Sequence, residues 1–143
     1  MRLTTWISAA LLVAFSLAAR ANSMQVGDLY VYYNALPSTE LTPQVARQYG
    51  ITRSANRALL NVSVRRGEPG ADVAVPAQVL AVATNLAGQR NGVKMREVRD
   101  GDALYYLGEV PVGGQDTLTF ELEVTVQGQA PVRTAFRQEF FPQ

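Results

Sequence analysis

The chain contains no cysteine, no histidine and a single lysine, Lys94. Without cysteine no disulfide can staple the fold, so an apolar core must hold it alone. There is also no thiol after the N-terminal apolar run to carry a lipid. Without histidine, Ser-His-Asp and Cys-His nucleophiles, zinc sites built on histidine or thiolate, and histidine-ligated haem are excluded. A charge excess is missing as well: 13 basic residues stand against 12 acidic ones among 143. Nucleic acid is therefore not an expected partner, and no residue set calls for a cofactor.

The N-terminus carries Arg2, an apolar run from Trp6 to Ala19, and Arg20 before Ala21. This is the pattern of a secretory signal peptide at residues 1–21, cleaved after Ala21. The run is too short for the roughly 20 apolar residues of a membrane span, so no anchor is expected after cleavage. Residues 22–143 remain as one domain, with the net charge moved from +1 to −1 by the loss of Arg2 and Arg20. An exported chain without cysteine is most simply a free periplasmic protein. A chain of this length buries about two-thirds of its unfolded surface, enough to fold without staples.

Short alternating segments follow, separated by glycine- and proline-rich turns. Strands are expected at 25–33, 58–65, 77–84, 93–99, 103–110, 117–126 and 132–141. The cleanest runs from Thr117 to Val126, where Leu118, Phe120, Leu122, Val124 and Val126 alternate with Thr and Glu, one face core and the other wet. In the second strand Leu60, Val62 and Val64 are expected inward, with Leu59, Asn61 and Ser63 outward. Seven such strands predict an all-β, immunoglobulin-like β-sandwich with one short helix inserted after the first strand. The disulfide of antibody domains has no counterpart, and Trp6 leaves with the signal.

The insert, residues 34–57, is unlike the rest. Thr42-Pro43 is a helix start and Gly50 a left-handed stop, with Ile51 folding back on the helix. Val45, Ala46 and Tyr49 share one side of it, so the helix is expected to lie as a lid over one end or edge of the sandwich. Beyond Gly50, Arg53, Asn56 and Arg57 offer polar donors, and guanidinium forks suit carboxylate or phosphate. Tyr49, Arg53, Asn56 and Arg57 are the candidate binding residues; pairing with nearby acids is the plainer role for the arginines.

Other features have ordinary explanations. Asp100-Gly101-Asp102 suits a hairpin turn better than a calcium loop, which needs six or more ligands. Glu121 and Glu123 lie on one face as glycosidase acids would, and also as two solvated glutamates would. Asn61-Val62-Ser63 is an N-glycosylation sequon inside an expected strand, and Lys94 has no serine near it in sequence for a dyad. Tyr30, Tyr32, Tyr105 and Tyr106 suit either a sugar-binding strip or inter-strand packing.

The strings YYNALPSTELTPQVARQYGITRSANRALLNVSV, ATNLAGQ, REVRDGDALYYLGEV and QEFF together resemble a family of small exported proteins of Gram-negative bacteria catalogued as a domain of unknown function. The resemblance spans nearly all of residues 22–143. It implies a periplasmic single-domain β-sandwich, and members of that family are linked to type IV pilus function as accessory factors; it brings no catalytic residues. The expectation is a non-enzymatic protein-binding module with an envelope partner, an alternative being a small domain that binds or cleaves cell-wall glycan.

Overall fold

The computed structural model describes residues 22–142, so the expected signal peptide lies outside the described residues. Ten strands, β1 Asn22–Val26, β2 Leu29–Pro37, β3 Arg57–Arg66, β4 Val73–Ala74, β5 Gln78–Thr84, β6 Arg90–Val93, β7 Arg96–Asp100, β8 Ala103–Pro111, β9 Asp116–Thr125 and β10 Val132–Phe140, form two antiparallel sheets. One has the order β1-β2-β3-β8-β7, with β4 beside β3; the other is β10-β9-β5-β6. Lettered in chain order, β2, β3, β5, β7, β8, β9 and β10 give A-B-E-D facing C-F-G, the constant-type immunoglobulin arrangement. The all-β sandwich with one short helix is therefore the fold, and β1, β4 and β6 are short additions to seven core strands.

The core between the sheets follows from the alternation. Leu118, Phe120, Leu122 and Val124 of β9 face Leu60, Val62 and Val64 of β3, all buried. Phe136 stacks on Phe120 and tilts against Tyr33, each at 5.1 Å.

Two expected strands divide. The segment 25–33 turns at Gly27, whose positive φ of 60° suits glycine, and folds β1 back on β2. The segment 93–99 changes sheets: β6 belongs to the β9 sheet, β7 pairs with β8, and Lys94-Met95 cross between them. Met95 consequently lies against the core between the sheets, whereas Val98 packs on the outside. The crossing is close because Gly108 has no side chain: a Cβ there would lie 2.5 Å from Val93 Cγ1 and 2.6 Å from Met95 Sδ.

The insert does not close an end or edge of the sandwich. It lies on the outer face of the β2-β3-β8-β7 sheet, where Leu41, Val45, Ala46, Tyr49 and Ile51 cover Leu36, Leu59 and Leu107 in a second apolar cluster. Leu59, outward-facing as expected, is thus fully buried, and so is most of Asn61. The sandwich has two cores, one between its sheets and one outside.

Candidate functional site

A brief 3-10 turn at Ser38–Glu40 precedes helix α1, Pro43–Tyr49. Seven residues cannot sustain a helix by propensity in water, so its ends and buried face must hold it. At the start, Thr42 Oγ1 accepts from Val45 N at 3.2 Å and Pro43 occupies the first turn. At the end, Ile51 N donates to Ala46 O at 2.8 Å and Gly50 N to Arg47 O at 3.2 Å, with Gly50 at φ 68°. This is the Schellman stop expected from Gly50-Ile51.

The loop behind the helix is fastened to the segment before it. Ser38, fully buried, donates its hydroxyl to Ser54 O and accepts from Ser54 N, both at 2.9 Å. Arg53 reaches back with Nε to Leu41 O at 2.6 Å and a terminal nitrogen to Thr39 O at 3.1 Å. Its fork is therefore engaged by main-chain carbonyls that would otherwise need water.

Tyr49 is 4% exposed and aims at the sheet. Its hydroxyl donates to Asp100 Oδ2 at 2.8 Å, and its ring meets Tyr105 edge-on at 6.3 Å. Burial first, and then the Asp100 carboxylate, push its pKa far above the ordinary tyrosine range. Tyr105 is raised for the same two reasons, with Arg65 opposing them. Both phenols thus keep their protons at physiological pH, the opposite of an activated nucleophile, and Tyr49 serves as a fixed donor to Asp100. The Tyr49 carbonyl accepts from Arg96, which ties β7 to the helix end.

Asn56 and Arg57 sit at the exposed rim. Asn56 O accepts from Val112 N at 2.9 Å, and Arg57 lies 3.5 Å from Glu109 Oε1, which also accepts from Thr52 N at 3.1 Å. Two crevices flank Glu109. One of about 300 Å³ is lined by Ser54, Asn56, Arg57, Glu109, Val110 and Pro111. The other, about 320 Å³, is lined by Leu59, Lys94, Arg96, Leu107 and Glu109.

The structure thus separates the four candidate residues. Tyr49 is part of the second core and Arg53 fastens the insert, while Asn56 and Arg57 come together at the rim. Lys94, Arg96 and Glu109 join them there. Lys94 carried a signal, being the sole lysine; Glu109 carried none, because its neighbours come from residues 52–57 and 94–96.

The remaining candidates are accounted for. Asp100-Gly101-Asp102 is the β7-β8 turn, with Gly101 at φ 58°. No group of three or more His, Cys, Asp or Glu among the described residues is placed to hold a metal ion. Glu121 and Glu123 pair with Arg90 and Arg133 at 2.9 Å each. Tyr30 and Tyr32 stack at 6.4 Å on the outer face, but Tyr106 is buried, accepting from Ala77 N at 2.8 Å, and Tyr105 packs under the helix. Asn61, the sequon residue, is buried and donates to Asn34 Oδ1 at 3.2 Å. No helix among the described residues is long and apolar enough to cross a membrane.

These features define an immunoglobulin-type sandwich whose outer sheet face carries a fastened helical insert with a polar rim. The chain belongs to the family described as Domain of unknown function (DUF4426), whose model matches residues 23–143. A crystal structure of a family member from Pseudomonas aeruginosa PAO1 is similar at 32% identity and TM-score 0.72, over 86% of this chain and 96% of that one. FetP of uropathogenic Escherichia coli strain F11, recombinantly expressed in the periplasm of E. coli BL21(DE3), shares the fold at 11% identity and TM-score 0.60, over 85% and 94% of the two chains. A copper-bound single-residue variant of FetP is similar at 11% identity and TM-score 0.58, over 85% and 95%. No curated protein matches the chain.

Proposed function

We propose that this chain is a non-enzymatic accessory protein of the periplasm that recognises an envelope protein through the rim of its insert, with the type IV pilus machinery as the first candidate partner. The carrying observation is the cationic rim formed by Arg57, Lys94 and Arg96 around the single carboxylate of Glu109. Three cations against one anion, beside an apolar floor of Leu59 and Leu107, suit an acidic segment of a partner chain. Charged rims of this kind steer encounter and set specificity. Fastening by Ser38, Arg53 and the two helix caps fixes the rim in advance, which lowers the ordering cost of binding. A periplasmic address agrees with the N-terminal pattern of residues 1–21.

The test is complementation of a deletion strain with Arg57→Glu/Lys94→Glu, both exposed positions. Loss of surface piliation at unchanged protein level and melting temperature is expected. Full piliation by the double variant contradicts the reading.

A further inference from the structure

β10 closes one side of the β10-β9-β5-β6 sheet, and among the described residues nothing pairs with its other edge. Nine residues long, it is paired with β9 along its whole length, from Val132 opposite Val124 to Phe140 opposite Asp116. Edge strands of this length are normally shortened, bulged or guarded by lysine, because a row of open amides and carbonyls templates another strand. β10 is neither short nor bulged and holds no proline or lysine; its only charges are Arg133, Arg137 and Glu139, all on its solvent face. Its inner row is also only partly covered: Val132, Thr134, Phe136 and Gln138 are half-buried, whereas the inner row of β9 beside it is buried.

The sequence of β10 is complementary to itself in one register. If two copies run antiparallel about a twofold axis at Phe136, the central residue, Arg133 of each copy lies opposite Glu139 of the other. Ala135 then faces Arg137 on the same outer side. Inside, Val132 meets Phe140, Thr134 meets Gln138, and the two Phe136 rings meet. A slip of one residue would exchange the faces. The next registers that keep the faces set Arg133 against Arg137, or Arg137 against itself. Opposite charges directly across a strand pair favour it and like charges oppose it, so the outer row selects the centred register. Glu139 has no ion pair among the described residues, whereas Arg133 is exposed and lies 2.9 Å from Glu123 of its own chain. In the centred pair Arg133 bridges that carboxylate and Glu139 of the second copy.

We infer that β10 is a homodimerisation edge, pairing antiparallel with β10 of a second copy about Phe136 to give one continuous sheet across both copies. The interface is isologous and closes at two copies. It lies on the sheet opposite the insert, so both rims stay open and a dimer presents two of them to an envelope assembly.

Sedimentation equilibrium of the purified protein, wild type and Arg133→Glu, Glu139→Arg and Arg133→Glu/Glu139→Arg variants, tests this. The wild type is expected to dimerise. Each single reversal should weaken the dimer about tenfold or more by creating two like-charge pairs, and the double reversal should restore it. Glu139→Arg leaves the Arg133–Glu123 pair intact, so it distinguishes an interface effect from damage within the sheet, and circular dichroism verifies the fold of each variant. A monomeric wild type across the concentration range overturns the inference. So do single variants that dimerise as tightly as the wild type, or a double variant that stays monomeric.

Discussion

Replacing Leu59 by alanine asks directly whether the insert is a packed layer or a loose appendage. Leu59 and Leu60 are neighbours on β3, both fully buried, but they point to opposite faces of the sheet. Leu60 belongs to the core between the sheets and Leu59 to the eight-residue cluster under the insert. A buried leucine cut to alanine loses about 2 to 5 kcal/mol, the spread reflecting how far the site collapses into the cavity. The outer cluster is small and covered by a seven-residue helix, so Leu59→Ala should fall near the lower end, about 2 to 3 kcal/mol, and Leu60→Ala higher. Either loss is a large part of the roughly 5 to 15 kcal/mol that holds a domain folded. Urea unfolding followed by far-ultraviolet circular dichroism measures both, and a similar m-value in the two variants keeps the comparison sound. A Leu59→Ala cost within about 0.5 kcal/mol, the range of an exposed substitution, would show that the insert does not seal the outer face.

Further predictions concern the sheet crossing and the buried phenol. Gly108→Ala should lower stability by about 1 to 3 kcal/mol through overpacking, and adding Val93→Ala should recover part of the loss in thermal unfolding; no change on Gly108→Ala would mean that Val93 and Met95 move aside freely. Because the folded-state pKa of Tyr49 lies above its unfolded value near 10, its contribution to stability is fully present below pH 10 and declines as pH rises beyond it. Chemical unfolding at pH 8 to 11 should show that decline in the wild type and a shallower one in Tyr49→Phe. The variant should also be less stable at pH 7 by about 1.5 to 3 kcal/mol, the worth of a hydrogen bond to a charged group. Equal slopes in the two proteins would count against a buried, proton-retaining Tyr49.

Features decided by neighbours in sequence were legible from the residues. β9 alternates cleanly because one face is core and the other is wet, and α1 declares both its ends because Thr42-Pro43 and Gly50-Ile51 act within one turn. Features decided across the chain were not. Leu59 reads as an outward residue of an alternating strand; only the return of residues 41–51 onto that face makes it core. The passage from β6 to β7 is hidden because half-exposed short strands carry too few apolar positions to reveal a change of sheet. Arg53 and Arg57 are the same residue type four positions apart, yet one is drawn to the Leu41 and Thr39 carbonyls and the other to Glu109. That difference depends on loop geometry, which composition does not encode.

The rim of the insert as a recognition surface for an acidic partner is the central claim. In-cell photocrosslinking tests it most directly, with the photoreactive residue placed at Asn56 on the rim or at Leu86, a 72% exposed position in the β5-β6 loop. The account predicts one defined envelope-protein adduct from position 56, lost when Lys94→Glu is added, and none from position 86. An adduct from position 56 that survives the charge reversal, or equal capture of the same protein from position 86, would contradict it.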